Sequence, residues 1–248
     1  EAFNLEGEEE TLGWIADGLV DALAFNDHMR GIVLGKPIKA SKLRDMVARS
    51  GLTEVEFMAL IEQTLSREAE VRGSLARLAE AARRKGIPLL SHDDRHAEDH
   101  VFFGSLGCTI SEFPTTDEVA VLATKDGKQT VFGAPNVVRG GSHTGCPTAA
   151  DMAAKGQCTI LASDYYYPAL LEAPFRLARD KRLTFEKAWA LVSENPARAL
   201  GLADRGTIEL GKRADLIAVD PQADGPRLVA TIANGEIAYL SDWTRLKA

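Results

Sequence analysis

Short apolar runs alternate with longer amphipathic stretches through most of this chain, and several of the short runs end in polar, ligand-type residues. The run at 19–25 leads into Asn26-Asp27-His28, Ile87-Pro88-Leu89-Leu90 leads into Ser91-His92-Asp93-Asp94, and Ile160-Leu161-Ala162 leads into Ser163-Asp164. Such runs read as buried strands, and helical periodicity marks the segments between them. The pattern predicts strands at 19–25, 87–90, 108–113, 130–134 and 158–163, with helices at 7–18, 53–85, 97–106, 115–125, 148–155, 168–180 and 184–193. Loops are expected at 30–42 and 135–147. In the long helix, Thr53 and Glu56 form a capping box. Met58, Ile61, Leu65, Ala69, Leu75, Leu78 and Ala82 follow helical spacing, with Arg72 the one polar break, and Gly86 with Pro88 stops the helix.

Buried strands separated by helices imply an α/β fold with a parallel sheet and right-handed crossovers. From about residue 203 short strands punctuated by Gly and Asn take over, and Asn234-Gly235 between apolar strands is a strong hairpin signal. The expected organisation is therefore an α/β part over 1–202 and a small β appendage over 203–248. A closed (β/α)8 barrel needs eight strands, and five or six are visible here. Either earlier strands precede Glu1 or the sheet is open and doubly wound. Residue 1 is Glu, and Glu1-Ala2-Phe3-Asn4 reads like the end of a strand already under way, so the chain is expected to be the C-terminal part of a longer protein.

Composition narrows the function classes. A net charge of −7 argues against non-specific nucleic-acid binding. No apolar run approaches the length of a membrane span. Cys108, Cys146 and Cys158 are odd in number and lack paired spacing, which predicts reduced thiols in a cytoplasmic protein. Oligomeric state is left open, with a homo-oligomer compatible with the sequence.

The chemistry is expected at the strand ends. His28 and His92 are one βα unit apart, so both can sit at the carboxyl ends of neighbouring strands. Neutral imidazole is a common metal ligand, and Asp27, Asp93 and Asp94 are placed to orient such ligands. A lone histidine at a strand end is more often a structurally satisfied side chain. Two at equivalent ends, with Asp164 at a third, favour a shared site. Asp164 suits both cation binding and proton transfer; the alternative is a helix N-cap, made less attractive by the Tyr165-Tyr166-Tyr167-Pro168 that follows. In the loop after residue 133, Gly140, Gly141 and Gly145 with Arg139, Ser142 and His143 have the parts of an anion cradle, or of a plain turn. Arg30, Lys36, Lys39 and Lys42 either add positive charge near the rim or form a solvated face. His96 and His100, spaced i, i+4, read as helix-surface residues. Glu112, next to Pro114, is placed to contact substrate or brace the site.

Several segments carry a family likeness: Ser-His-Asp-Asp at 91–94, Gly-Cys-Thr-Ile-Ser-Glu-Phe-Pro-Thr-Thr at 107–116, Gly-Ala-Pro-Asn-Val-Val-Arg-Gly-Gly-Ser-His at 133–143, Ser-Asp-Tyr-Tyr at 163–166 and Asn-Pro-Ala-Arg-Ala-Leu-Gly-Leu at 195–202. Together they resemble the amidohydrolase superfamily, and within it the metal-dependent hydrolases of bacterial phosphonate breakdown. The resemblance implies a TIM-like (β/α)8 barrel, present here in part, with β-sandwich strands after it. It makes His28 and His92 metal ligands, Asp164 the last-strand ligand and catalytic proton acceptor, and Glu1 the bridging carboxylate of a binuclear centre. Zinc is the first expectation, with manganese or iron as alternatives. The implied reaction is diphosphatase cleavage of the triphosphate arm of a ribose 1-methylphosphonate by a metal-bound hydroxide, giving the 5-phosphate and pyrophosphate. The small phosphorylated substrate is expected to meet Glu112, Asn136, Arg139, Gly140, Gly141, Ser142, His143 and Tyr165. The superfamily also uses a His-x-His pair on its first strand, which this sequence lacks and which is expected upstream of Glu1. Competing readings are a C–N hydrolase of the same superfamily (a cyclic amidase or N-acyl amino acid deacylase) and a non-catalytic domain keeping its ligand residues as relics. No Gly-x-Ser-x-Gly elbow supports a serine hydrolase.

Overall fold

A computed structural model describes residues 1–29, 40–141, 147–222 and 225–242. They divide into two units, Glu1–Asp93 with Val101–Thr109, and Asp94–His100 with Ile110 onward.

In the first unit, β1 (Leu23–Asn26) and β2 (Leu89–His92) pair in parallel, with Asn26 opposite His92. Around them run α1 (Glu8–Ala16), α2 (Ala40–Ser50), α3 (Glu54–Ser66), α4 (Glu68–Arg84) and the greater part of α5 (Ala97–Leu106). Helix α4 buries Val71, Leu75, Ala79 and Ala82, one stripe at helical spacing, with Phe25, Leu89, Phe103 and Cys108 in the same core. Each large apolar side chain in that core is worth roughly 1.5–3 kcal/mol of burial. Gly86, at φ +70°, terminates the stripe while the Ile87 N–H donates back to the Ala82 carbonyl at 3.0 Å.

The capping box forms as the sequence predicts, with the Glu56 N–H donating to Thr53 Oγ1 and the Thr53 N–H to Glu56 Oε2. The single long helix does not. It breaks at Arg67, whose N–H donates to Thr64, three residues back, at 3.2 Å. The hydroxyls of Thr64 and Ser66 take the carbonyls of Leu60 and Gln63, which weakens the ladder there. Arg67 then pairs with Glu70 and Glu6. Arg72, the polar break in the stripe, stacks its guanidinium 4.7 Å from the Phe102 ring centre.

In the second unit β3 (Ile110–Glu112), β4 (Gln129–Gly133) and β5 (Ile160–Ala162) form parallel neighbours, with Val131 opposite Ile160 and Gly133 opposite Ala162. Helices α6 (Asp117–Lys125), α7 (Ala134–Arg139), α8 (Ala149–Ala154), α9 (Ala169–Arg179), α10 (Phe185–Ala190) and α11 (Glu194–Ala199) accompany them. Phe132, Met152, Leu161, Leu177 and Leu191 share a core with fully buried alanines (Ala120, Ala134, Ala169, Ala173) that allow close helix approach. An antiparallel sheet follows, β6 (Leu216–Gln222), β7 (Gly225–Ala233) and β8 (Glu236–Leu240). Asn234 and Gly235, at φ +52° and +82°, make the two-residue turn that the sequence predicts between β7 and β8.

Helices α2 and α11 and the helix inside the expected 135–147 loop are additions to the sequence pattern. The last, α7, follows from Pro135 in its first turn and Gly140 at φ +83° just past its end. His100 is a correction. It is not on the surface but 3% exposed, because its Nε2–H donates to Asp126 at 2.8 Å while Lys128 approaches Nδ1 at 3.5 Å. Helical spacing cannot reveal partners that arrive from beyond the next helix. His96 is exposed, as expected. Cys108 and Cys158 are buried and not disulfide-bonded, and burial pushes the Cys158 thiol pKa up to about 12.

Candidate metal centre

The register of β1 on β2 puts the residues after Asn26 and those from His92 onward at one strand end. Paired residues project to the same face of a pleated sheet, so Asn26 and His92 share a face while Phe25 turns into the core. His28, two residues past β1, meets His92 edge-on, with ring centres 5.4 Å apart. Asp93 lies between them. One carboxylate oxygen is 3.7 Å from His28 Nε2 and the other is 3.6 Å from His92 Nε2. Donor atoms of His28, His92 and Asp93 fall within 4.8 Å of one another, all on half-buried side chains.

On the other side of His28, Nδ1–H donates to Glu1 Oε1 at 2.6 Å. Glu1 is held there because the Ala2 N–H donates to the Asn26 carbonyl at 2.7 Å. A carboxylate on Nδ1 fixes the tautomer and leaves Nε2 as the free lone pair, which is the usual arrangement behind a metal-binding imidazole. Asn26 Oδ1, on the same face as His92, is buried without a hydrogen-bond partner. Two imidazoles, a carboxylate and an unsatisfied amide oxygen form a donor set suited to a divalent cation with nitrogen and oxygen preference.

The structure thus joins Glu1, His28 and His92 and adds Asp93, which sequence reasoning treated only as an orienting neighbour. The available signal was backbone tolerance. Asp93 sits at φ +57°, a left-handed conformation that Asp adopts more readily than most residues, and that conformation follows directly on β2. Phe113 (φ +52°) after β3 and Asp164 (φ +50°) after β5 repeat the feature. Left-handed non-glycine residues concentrate at functional sites, where the surrounding structure holds them in place.

Asp164 belongs to the second unit. There its Oδ2 would lie 4.0 Å from a Cβ added at Gly133, a position that would also touch the Phe113 ring at 3.8 Å. Asp94 is buried in the same unit and accepts from Ser111 Oγ at 3.2 Å. The Arg139 guanidinium stacks 5.4 Å from the exposed Tyr165 ring, so two expected substrate contacts meet. Asn136 Oδ1 accepts from the Ala149 N–H at 3.0 Å and caps α8. Gly140 and Gly141 donate to the Asn136 carbonyl, each at 3.2 Å, and close α7. Glu112 is half-buried as the last residue of β3. Arg30, Lys36, Lys39, Ser142, His143, Gly145 and Cys146 lie outside the described residues, whereas Lys42 is in α2.

Residues 39–239 match the sequence model of the Amidohydrolase family. The chain belongs to that family. Among its relatives, the alpha-D-ribose 1-methylphosphonate 5-triphosphate diphosphatase of Escherichia coli K12 is 45% identical over 176 residues, which cover 67% of this chain and 45% of that protein. Imidazolonepropionase of Ruegeria pomeroyi is 59% identical over 39 residues, 16% of this chain and 10% of that one. Both matches span less than half of the relative's length. Among solved structures, the L-hydantoinase of Arthrobacter aurescens aligns with a TM-score of 0.51 at 14% identity, over 68% of this chain and 60% of that one. An adenosine deaminase from Xanthomonas campestris with bound zinc aligns with a TM-score of 0.51 at 16% identity, over 68% and 49%. At such identities the likeness is one of fold. The five parallel strands with their helices are part of the amidohydrolase barrel, and β6–β8 are its β appendage.

Proposed function

We propose that the chain carries part of a metal-dependent phosphohydrolase of phosphonate metabolism, which converts α-D-ribose 1-methylphosphonate 5-triphosphate to the 5-phosphate and pyrophosphate. The observation that supports a cation-dependent hydrolase is the convergence of His28, His92 and Asp93, with Glu1 on His28 Nδ1, at the end of two paired parallel strands. The substrate is suggested by the E. coli relative.

In this reading His28 and His92 hold the ion through Nε2, and Glu1 and Asp93 balance its charge. A divalent ion held there, zinc by preference and one of two in the complete centre, would supply Lewis acidity for activating a water and offsetting phosphoryl charge. Asp164 takes the proton of the attacking water on its carboxylate and returns it to the leaving oxygen. Arg139, held by Tyr165, offers a planar pair of N–H donors to phosphoryl oxygens. Glu112, Asn136, Gly140, Gly141, Ser142 and His143 complete the substrate contacts. Residues 1–202 form the barrel part and 203–248 the β appendage of a cytoplasmic enzyme.

The test is an assay of the full-length, metal-loaded protein. Pyrophosphate release from the triphosphate, lost in Asp164→Asn with metal content retained, is the expected result. Hydrolysis of a hydantoin or an N-acyl amino acid in place of pyrophosphate release would sink the phosphohydrolase reading. Absence of bound divalent ion would sink the metal centre.

A further inference from the structure

Phe113, directly after β3 in the second unit, has a backbone that its own sequence opposes. At φ +52° it is left-handed, a true outlier for a bulky side chain, and the Pro114 that follows favours extended backbone at this position. The fold holds it there from both sides. The Phe113 N–H donates to the Val131 carbonyl of β4 at 2.9 Å. Pro114 is fully buried, and Thr115 donates to the Asp94 carbonyl through its N–H at 3.0 Å and through Oγ1 at 3.2 Å. Strain that so many contacts keep in place needs a use, and the side chain supplies one. A Cβ built on Gly133, the last residue of β4, would stand 3.8 Å from Phe113 Cε1, 3.8 Å from Pro135 Cδ and 4.0 Å from Asp164 Oδ2. Ring edge, proline and carboxylate therefore border one gap about the size of a methyl group, which the glycine leaves open. Gly133 is paired with Ala162, two residues before Asp164, so the gap lies at the carboxyl ends of neighbouring strands. The edge of an aromatic ring is its positive side and suits a carboxylate.

We propose that Phe113 is a positioning residue for Asp164. The left-handed turn after β3 sets the ring beside the gap at Gly133, and the ring restricts the rotation of the Asp164 carboxylate so that it stays where it accepts the proton. The inference rests on the reading of Asp164 as proton acceptor. Phe113 itself touches no reacting atom.

The experiment uses the full-length, metal-loaded protein with Phe113→Gly, which accepts the backbone without the ring, Phe113→Leu, which keeps apolar bulk, and Phe113→Tyr, which keeps the ring. Pyrophosphate release is expected to lose at least about tenfold in kcat in Phe113→Gly, with KM within about threefold and metal content unchanged. Phe113→Leu should fall in between, and Phe113→Tyr should stay within about threefold of the wild type. Full kcat in Phe113→Gly, or a loss of bound metal that matches the loss of kcat, would overturn the proposal. A second measurement reads the contact without the reaction. Asp164→Asn should shift the thermal midpoint by amounts that differ by at least about 2 °C between the wild type and Phe113→Leu. Equal shifts would overturn the proposal as well. A wild type that releases no pyrophosphate would sink the proposed function instead, and the comparison of thermal midpoints would then decide on Phe113 alone.

Discussion

The parallel strands and the antiparallel sheet solve burial in opposite ways. Strands β1–β5 are three to five residues long, and every one contains a buried residue. Strands β6–β8 run from five to nine residues and contain none among the described residues; Ile217, Ile237 and Tyr239 stay about half exposed. A parallel strand covered on both faces admits only small polar side chains along its length, such as Ser91, Ser111 and Thr130, so charged groups are displaced to its carboxyl end. There the backbone leaves the sheet, at Asp93, Phe113 and Asp164 through a left-handed residue. The antiparallel sheet carries its polarity along its length and offers no such rim. Chemistry therefore gathers where burial is greatest.

The largest test of this contrast is packing. Phe132→Ala in β4, 4% exposed, is expected to cost about 3–5 kcal/mol in chemical denaturation, whereas Ile237→Ala in β8, 54% exposed, should cost under about 1 kcal/mol. Equal losses would refute the contrast. Next comes the rim itself. His92→Ala is expected to weaken divalent-ion binding by more than about a hundredfold, read as metal content after dialysis, with the fold retained by circular dichroism. A smaller effect probes what holds the antiparallel sheet in place of burial. Gly235→Ala forces a side chain into φ +82° and should cost about 1–2 kcal/mol, and a neutral result would mean that the turn is not a determinant.

The smallest effect lies at an exposed carboxylate. The hydrogen bond from His100 holds the Asp126 carboxyl below its ordinary value of 3.8. A folded-state pKa below the unfolded one gives stability that is present above the unfolded value and lost as pH falls through the folded one. Asp126→Asn should therefore remove part of the wild type's pH dependence on the acid side of 3.8 and leave its slope near neutrality unchanged. Parallel acid-unfolding curves for the two proteins would contradict this.

Local rules were legible in the sequence. The capping box at Thr53 and Glu56, the Asn234-Gly235 turn, the stripe through Leu75 and Ala82 and the polar ends of the apolar runs all depend on residues within a few positions of one another. The same rules applied at Pro135 and Gly140, where a helix was signalled but the glycines suggested a loop. Other features were not legible, because they depend on what another element brings near. His100 looked like a surface residue until Asp126 and Lys128 met it from around the next helix. Asp93 read as an orienting neighbour, and only the turn after β2 sets its carboxylate between two imidazoles that follow different strands.

The chain's own pattern determined the alternation of strands and helices, the succession of antiparallel strands from Leu216 after the last helix and the kinds of side chain that end each strand, because periodicity and turn chemistry are short-range properties. Tertiary structure alone decided that Glu1 reaches His28 and that Asp93 joins the histidines. It also decided that the Phe113 ring and the Asp164 carboxylate border one gap at Gly133. Electrostatics and coordination act over a few ångströms of space, and 27 residues of sequence separate Glu1 from His28. Distance along the chain carries no record of that proximity until the strands pair.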